Sequence, residues 1–133
     1  MTDLRAHHVT FTVKDINESI KWYKDKLGLP LIIKYQWQGL NVAHLQLGNI
    51  RLELFECGDE TEPLPDYRKD LLKDLHVMGV KHLCIETDDI EKLVANLKKK
   101  GVEFIQEINA AGIGGRKTFF KDCNGILVEL YQK

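Results

Sequence analysis

The chain repeats itself. An offset of 74 places His8 on His82, Asp15 on Asp89 and Ile16 on Ile90. At the far end of each copy Leu52-Glu53-Leu54 falls on Val128-Glu129-Leu130, so His and Glu stand 45 residues apart in the first copy and 47 in the second. A period of this length means one supersecondary unit built twice, and whatever the first copy folds into the second must also fold into.

The first copy predicts β-α-β-β-β. His8, Thr10 and Thr12 interleave with Val9, Phe11 and Val13, the two-residue period of a strand with one apolar and one polar face. Asp15 and Glu18 stand at capping-box spacing, Ile16, Ile20, Tyr23 and Leu27 recur at helical spacing, and Gly28 stops the helix. Leu31 to Gln38, Asn41 to Leu47 and Ile50 to Cys57 follow as strands, the last two joined by the two-residue hairpin loop Gly48-Asn49. In the second copy His82, Cys84 and Glu86 alternate with Leu83 and Ile85, Asp88 and Glu91 stand at capping-box spacing, and Ile90, Leu93, Val94 and Leu97 form a helix ended by Gly101. Val102 to Gln106, Arg116 to Lys121 and Ile126 to Gln132 are its further strands, with Asp122 to Gly125 as a turn. The chain is thus expected to be one domain over 1–133, with repeat 1 at about 7–57, an acidic, proline-containing linker at 58–80 holding a short helix near Leu71 to Leu75, and repeat 2 at about 81–132.

Composition excludes several classes of function. Nineteen Lys+Arg against twenty Asp+Glu give a net charge of -1 without a basic stripe, which argues against nucleic acid. The apolar runs are strand-sized, so no membrane association is expected. Three cysteines, Cys57, Cys84 and Cys123, form no C-x-x-C pair, and with no apolar leader visible they suggest reduced thiols and a cytoplasmic protein.

Alternation decides which side chains share a face. Across Gly48-Asn49, residues whose numbers sum to 97 oppose each other: Leu47 meets Ile50, Leu45 meets Leu52 and Ala43 meets Leu54, an apolar set that belongs against a helix. The other face carries His44 opposite Glu53 and Gln46 opposite Arg51, with His8, Thr10 and Thr12; in the second copy it carries His82, Cys84, Glu86, Leu127, Glu129 and Tyr131. Mid-strand glutamates flanked by apolar residues are costly unless paired or bound to a cation. Two imidazoles and two carboxylates form a donor set suited to Ni, Zn, Mn or Fe, with His8, Glu53, His82 and Glu129 as ligands. The competing account pairs each glutamate with a lysine or arginine and leaves each histidine interfacial. Coincidence at all four positions of a repeat favours the metal.

The stretches His8 to Asp15, Ser19 to Tyr23, Leu27 to Leu29, Leu52 to Leu54, Lys81 to Leu83, Asp88 to Ile90 and Asp122 to Leu130 resemble the vicinal oxygen chelate superfamily, which includes glyoxalase I, methylmalonyl-CoA epimerase, extradiol dioxygenases and bleomycin-resistance proteins. The resemblance implies an α+β fold in which paired βαβββ modules form a cupped eight-stranded mixed sheet with helices outside, and it puts the metal on the same four residues. It is closest to glyoxalase I, with the epimerase as the alternative and an extradiol dioxygenase or a metal-free drug-binding protein behind them. The first two remove a proton next to a carbonyl; the resemblance favours Glu129 as base with Glu53 as its counterpart, acting on a hemithioacetal or an acyl thioester. Glutathione-using glyoxalases tend to carry arginine four residues after the first ligand, where this chain has Thr12. The resemblance also implies a homodimer.

Arg51, two residues from Glu53, can hold a substrate carboxylate or phosphate, or pair with Glu53 or Glu86. Thr10, Thr12 and His44 are the other candidate substrate contacts, and His44 can equally support or rival a ligand. Gly112, Gly114 and Gly115 offer either a flap or an ordinary turn. Cys84 reads as a small inward residue, and His7 and His76 carry no argument.

Overall fold

The computed structural model describes residues 3–133. They divide into two compact units, the first ending at Glu62 and the second spanning Pro63–Lys133. Each unit is a βαβββ module with one four-stranded mixed sheet, so the α+β architecture of two modules is as the repeat predicts.

The first unit runs β1 (His8–Thr12), α1 (Ile16–Leu27), β2 (Leu31–Trp37), β3 (Leu40–Leu47) and β4 (Ile50–Glu56), with sheet order β1-β4-β3-β2 and β1 parallel to β4. Asp15 caps α1 by accepting from the Glu18 amide at 2.9 Å. Gly28 closes it in the left-handed region at φ 70°, which a residue with a Cβ adopts only at a cost, and donates back to carbonyls of the last turn. The hairpin register is the one expected: Leu47 opposes Ile50, Leu45 opposes Leu52, Ala43 opposes Leu54, and His44 opposes Glu53. Ala43, Leu45, Leu52 and Leu54 are fully buried and pack with Val13, Ile16 and Tyr23 in one core. Strand β2, at the sheet edge, is different: all seven residues are exposed, among them Leu31, Ile33, Tyr35 and Trp37.

The second unit runs α2 (Leu71–Leu75), β5 (Leu83–Glu86), α3 (Ile90–Lys99), β6 (Asn109–Ala110), β7 (Arg116–Lys121) and β8 (Leu127–Gln132), in sheet order β5-β8-β7-β6. Ile90 and Leu97 of α3 are fully buried, as are Phe120, Val128 and Leu130 of the sheet. Two details depart from the sequence reading. The cap of α3 is Asp89, not Asp88: its carboxylate accepts from the Lys92 amide at 3.0 Å, the place the repeat itself assigns by matching Asp89 to Asp15. Val102 to Gln106 is not a strand. Phe104 makes a single bridge to Phe120, flanked by the Ile105 amide donating to the Phe119 carbonyl at 3.1 Å and the Lys121 amide donating to the Glu103 carbonyl at 2.9 Å, and beyond it Gln106 is held by the Thr118 hydroxyl, which donates to its carbonyl at 2.9 Å.

The two modules share a tether that alternation does not reveal. The first amide of α1, at Ile16, donates to Glu56 Oε2 at 2.6 Å, and that of α3, at Ile90, donates to Gln132 Oε1 at 2.8 Å. Each helix start, where amides lack intrahelical partners, is held by the last residue of its unit's central parallel strand.

Residues 58–80 contain 3₁₀ turns at Gly58–Glu60 and Asp66–Lys69 as well as α2. Buried Asp74 receives Lys81 Nζ at 3.2 Å and lies 3.4 Å from Arg68 Nε, while the Arg68 guanidinium also donates to the Lys81 carbonyl. This network fixes the chain immediately before His82. The glycine-rich stretch is a tied turn: Tyr131 Oη donates to the Gly114 carbonyl at 2.9 Å, and a Cβ on Gly115 would lie 2.2 Å from the Gln132 carbonyl oxygen. Cys57, Cys84 and Cys123 form no disulfide. No described helix is long and apolar enough to cross a membrane.

Candidate functional site

In the first unit, the parallel pairing of β1 with β4 sets Thr10 beside Glu53 and His8 beside Arg51, and the hairpin sets His44 on the other side of Glu53. The Glu53 carboxylate is nearly buried and both of its oxygens are engaged. Oε1 accepts from the Thr10 hydroxyl at 2.8 Å and lies 3.6 Å from His8 Nε2, and Oε2 lies 2.8 Å from His44 Nε2. Among the described residues Arg51 pairs with neither Glu53 nor Glu86; its Nη1 reaches His44 Nδ1 at 3.5 Å. Tyr35 Oη approaches His44 Nε2 at 3.5 Å. Thr12 lies exposed at the end of the strand, opposite Phe55.

His8 has a further partner. Its Nδ1 lies 2.8 Å from Nδ1 of His7, which leaves Nε2 directed at Glu53. Such an outer contact orients a ligand imidazole. Sequence reasoning passes over His7 because neighbours in a strand point to opposite faces, but β1 begins at His8 and alternation does not govern the residue before it.

In the second unit, β5 and β8 pair Cys84 with Glu129, and β7 places Phe119 on the other side. Glu129 Oε1 lies 2.9 Å from His82 Nε2, and the His82 ring stands edge-on to Phe119 with centroids 4.9 Å apart. His82 Nδ1 is buried without a hydrogen-bond partner. The Cys84 thiol is pushed up from 9.0 to about 11, first by desolvation and then by the charge and hydrogen bonding of Glu129 and the charge of Glu86. A thiol so raised is a poor nucleophile at neutral pH.

Each unit therefore brings together one His/Glu pair of the sequence reading: His8 with Glu53, His82 with Glu129. Neither carboxylate has a lysine or arginine partner among the described residues; histidines are their only ion-pair contacts. An imidazole nitrogen and a carboxylate oxygen bound at right angles to one ion, each about 2.1 Å from it, stand about 3 Å apart. The 2.9 Å of His82 and Glu129 fits that spacing, whereas the 3.6 Å of His8 and Glu53 corresponds to a wider angle of about 120° at the ion. Among the described residues no group of three or more His, Cys, Asp or Glu side chains is arranged to hold a metal ion, so what each unit offers is a two-donor half-set.

A duplicated βαβββ module with a His/Glu pair at matching positions defines a class. The sequence profile of the Glyoxalase/Bleomycin resistance protein/Dioxygenase superfamily matches residues 5–130, and the chain belongs to that superfamily. The mitochondrial methylmalonyl-CoA epimerase of Mus musculus is 32% identical over 133 residues, covering 96% of this chain and 72% of that protein. The ethylmalonyl-CoA/methylmalonyl-CoA epimerase of Cereibacter sphaeroides is 28% identical over 134 residues, covering 96% and 97%. Among solved structures, a glyoxalase family protein from Enterococcus faecalis superposes with a TM-score of 0.79 at 25% identity, covering 96% of both chains. These relatives favour the epimerase over the glyoxalase I-type lyase that the sequence alone put first.

Proposed function

We propose that this protein is a divalent-metal-dependent epimerase of an acyl-CoA thioester, with residues 1–133 acting as one functional domain. The observation that carries the reading is the recurrence, in both copies of the repeat, of a largely buried glutamate that meets a histidine and, among the described residues, no lysine or arginine, in a chain whose relatives include named epimerases. His8 and Glu53 would supply two donors to the ion and His82 and Glu129 two more, drawn from one chain or from two chains of a homodimer. Bound there, Ni, Zn, Mn or Fe supplies a Lewis acid that makes the proton next to the thioester carbonyl more acidic.

The chain's own groups do the rest. Glu129, engaged by the imidazole of His82 and the thiol of Cys84, is the carboxylate that removes the α-proton, a proton then returns to the opposite face of the same carbon, and Glu53 is the counterpart of Glu129 in the first copy. Arg51, Thr10 and Thr12 lie on the same face as Glu53 and would contact substrate there. In deuterated water, a single epimer of a 2-methylmalonyl thioester of coenzyme A should take up deuterium at the α-carbon and lose optical purity. E129Q should keep the fold and slow the exchange by roughly 10²-fold or more, in line with loss of a general base. H8A should lose metal and activity together. No exchange by metal-loaded wild type would overturn the epimerase reading, and exchange into glutathione hemithioacetals alone would return the protein to the glyoxalase I type. Light scattering at working concentration checks the dimer; a monomer mass removes the option of donors from two chains.

A further inference from the structure

The two half-sets occupy matching positions but are not chemically alike. Glu53 and Glu129 each sit between two register partners: Thr10 and His44 around the first, Cys84 and Phe119 around the second. The repeat thus exchanges a hydroxyl for a weakly donating thiol and an imidazole for a phenyl ring. Glu53 accepts on both oxygens, whereas the partners of Glu129 beyond His82 are a thiol and a hydrocarbon.

His44 itself is positioned from behind. It is buried, at 7% exposure, and so is poorly placed to touch substrate. The Glu53 carboxylate can only accept and arginine can only donate, so with Oε2 2.8 Å from Nε2 and Arg51 Nη1 3.5 Å from Nδ1 the ring donates at Nε2 and presents the Nδ1 lone pair to Arg51. The ring proton then resides on Nε2, 2.8 Å from Glu53 Oε2. A chain Arg51→His44→Glu53 fixes the tautomer, the ring and one carboxylate oxygen, leaving Oε1 to Thr10 and to the pair with His8.

We propose that His44, backed by Arg51, is a positioning residue that locks Glu53 as the fixed carboxylate of the metal half-set, so that the pseudo-symmetry of the repeat is broken by design of the first copy. The proposal rests on the metal reading above and replaces direct substrate contact as the role of His44.

The test is titration of purified, metal-stripped protein with Co²⁺ alone, followed by calorimetry, for wild type and three variants. H44F gives the first copy the residue type that the second copy has at Phe119. It should weaken Co²⁺ by 10–100-fold, the usual cost of losing an outer partner of a ligand, while the far-ultraviolet spectrum of the metal-free protein stays that of the folded wild type. H44Q returns an amide N–H to the side of Glu53 and should recover most of the loss, which a merely structural role would not predict. R51M leaves His44 in place but removes the donor to Nδ1, and should show part of the loss. Should H44F fail to fold, H44Q and R51M read the proposal alone. Wild-type Co²⁺ affinity in H44F, or in R51M where H44F is unfolded, overturns the proposal and leaves the metal reading standing. Failure of wild type to bind Co²⁺ overturns both.

Discussion

Cys84 shows how one residue's environment silences its chemistry. It is exposed enough to be reached, yet its thiol stands near 11 instead of 9.0. The proton is retained in the folded protein, so at pH 8 the thiolate fraction falls about a hundredfold. Iodoacetamide followed by peptide mapping should label Cys84 in metal-free protein about a hundredfold more slowly than in the same peptide unfolded, with the rate climbing tenfold per pH unit up to about pH 10. Equal rates in folded and unfolded protein would contradict this. The residues of the half-sets were legible because strand alternation assigns faces: His8, Glu53 and Glu129 follow from counting by twos, and His44 from its place across a two-residue hairpin. What counting could not supply was engagement. That Arg51 serves His44, and that His7 backs His8, depends on side-chain torsions that no spacing encodes.

Among elements, the α3 cap offers a direct contrast. Asp89 accepts from the Lys92 amide and Asp88 does not cap, so D89A should lower stability by about 1 kcal/mol and D88A should leave it near wild type. Urea unfolding of the two variants checks the difference; equal losses would restore Asp88 as the cap. Both aspartates precede an acidic or basic residue at plausible spacing, and the repeat offset is the better guide to which one begins the helix. The hairpin register was readable because Gly48-Asn49 leaves only one way to pair its strands. Val102 to Gln106 misled because Val102, Phe104 and Gln106 alternate like a strand, while the pairing they make is one bridge, Phe104 to Phe120, with a partner distant in sequence.

For the molecule as a whole, the metal reading makes stability depend on a ligand. An ion that binds only the folded chain adds about 2.7 kcal/mol at a hundred times its dissociation constant. For a chain of this size the melting point should rise by roughly 10 °C. Calorimetric scans with chelator and with added Mn²⁺ or Co²⁺ check this, and H8A should abolish the shift. Equal melting points for wild type in both conditions would contradict it. The duplicated architecture was legible from the period of the sequence alone. The activity was not, because two imidazoles and two carboxylates serve a lyase and an epimerase equally well, and the ordering of those two readings came from the relatives.

Strand β2 carries a consequence for handling the protein. It forms a sheet edge with seven exposed residues, Leu31-Ile-Ile-Lys-Tyr-Gln-Trp37, and Lys34 is its one charge. An apolar edge of this kind is a template for recruiting further strands into aggregates, and a lone lysine is the ordinary brake on that process. K34Q removes the charge while leaving a polar side chain near Asn17, which Lys34 now reaches at 2.6 Å. Concentrated K34Q should therefore turn turbid sooner on storage than wild type at the same melting point. Turbidity would then be governed by one ammonium group on the rim, not by the stability of the fold behind it.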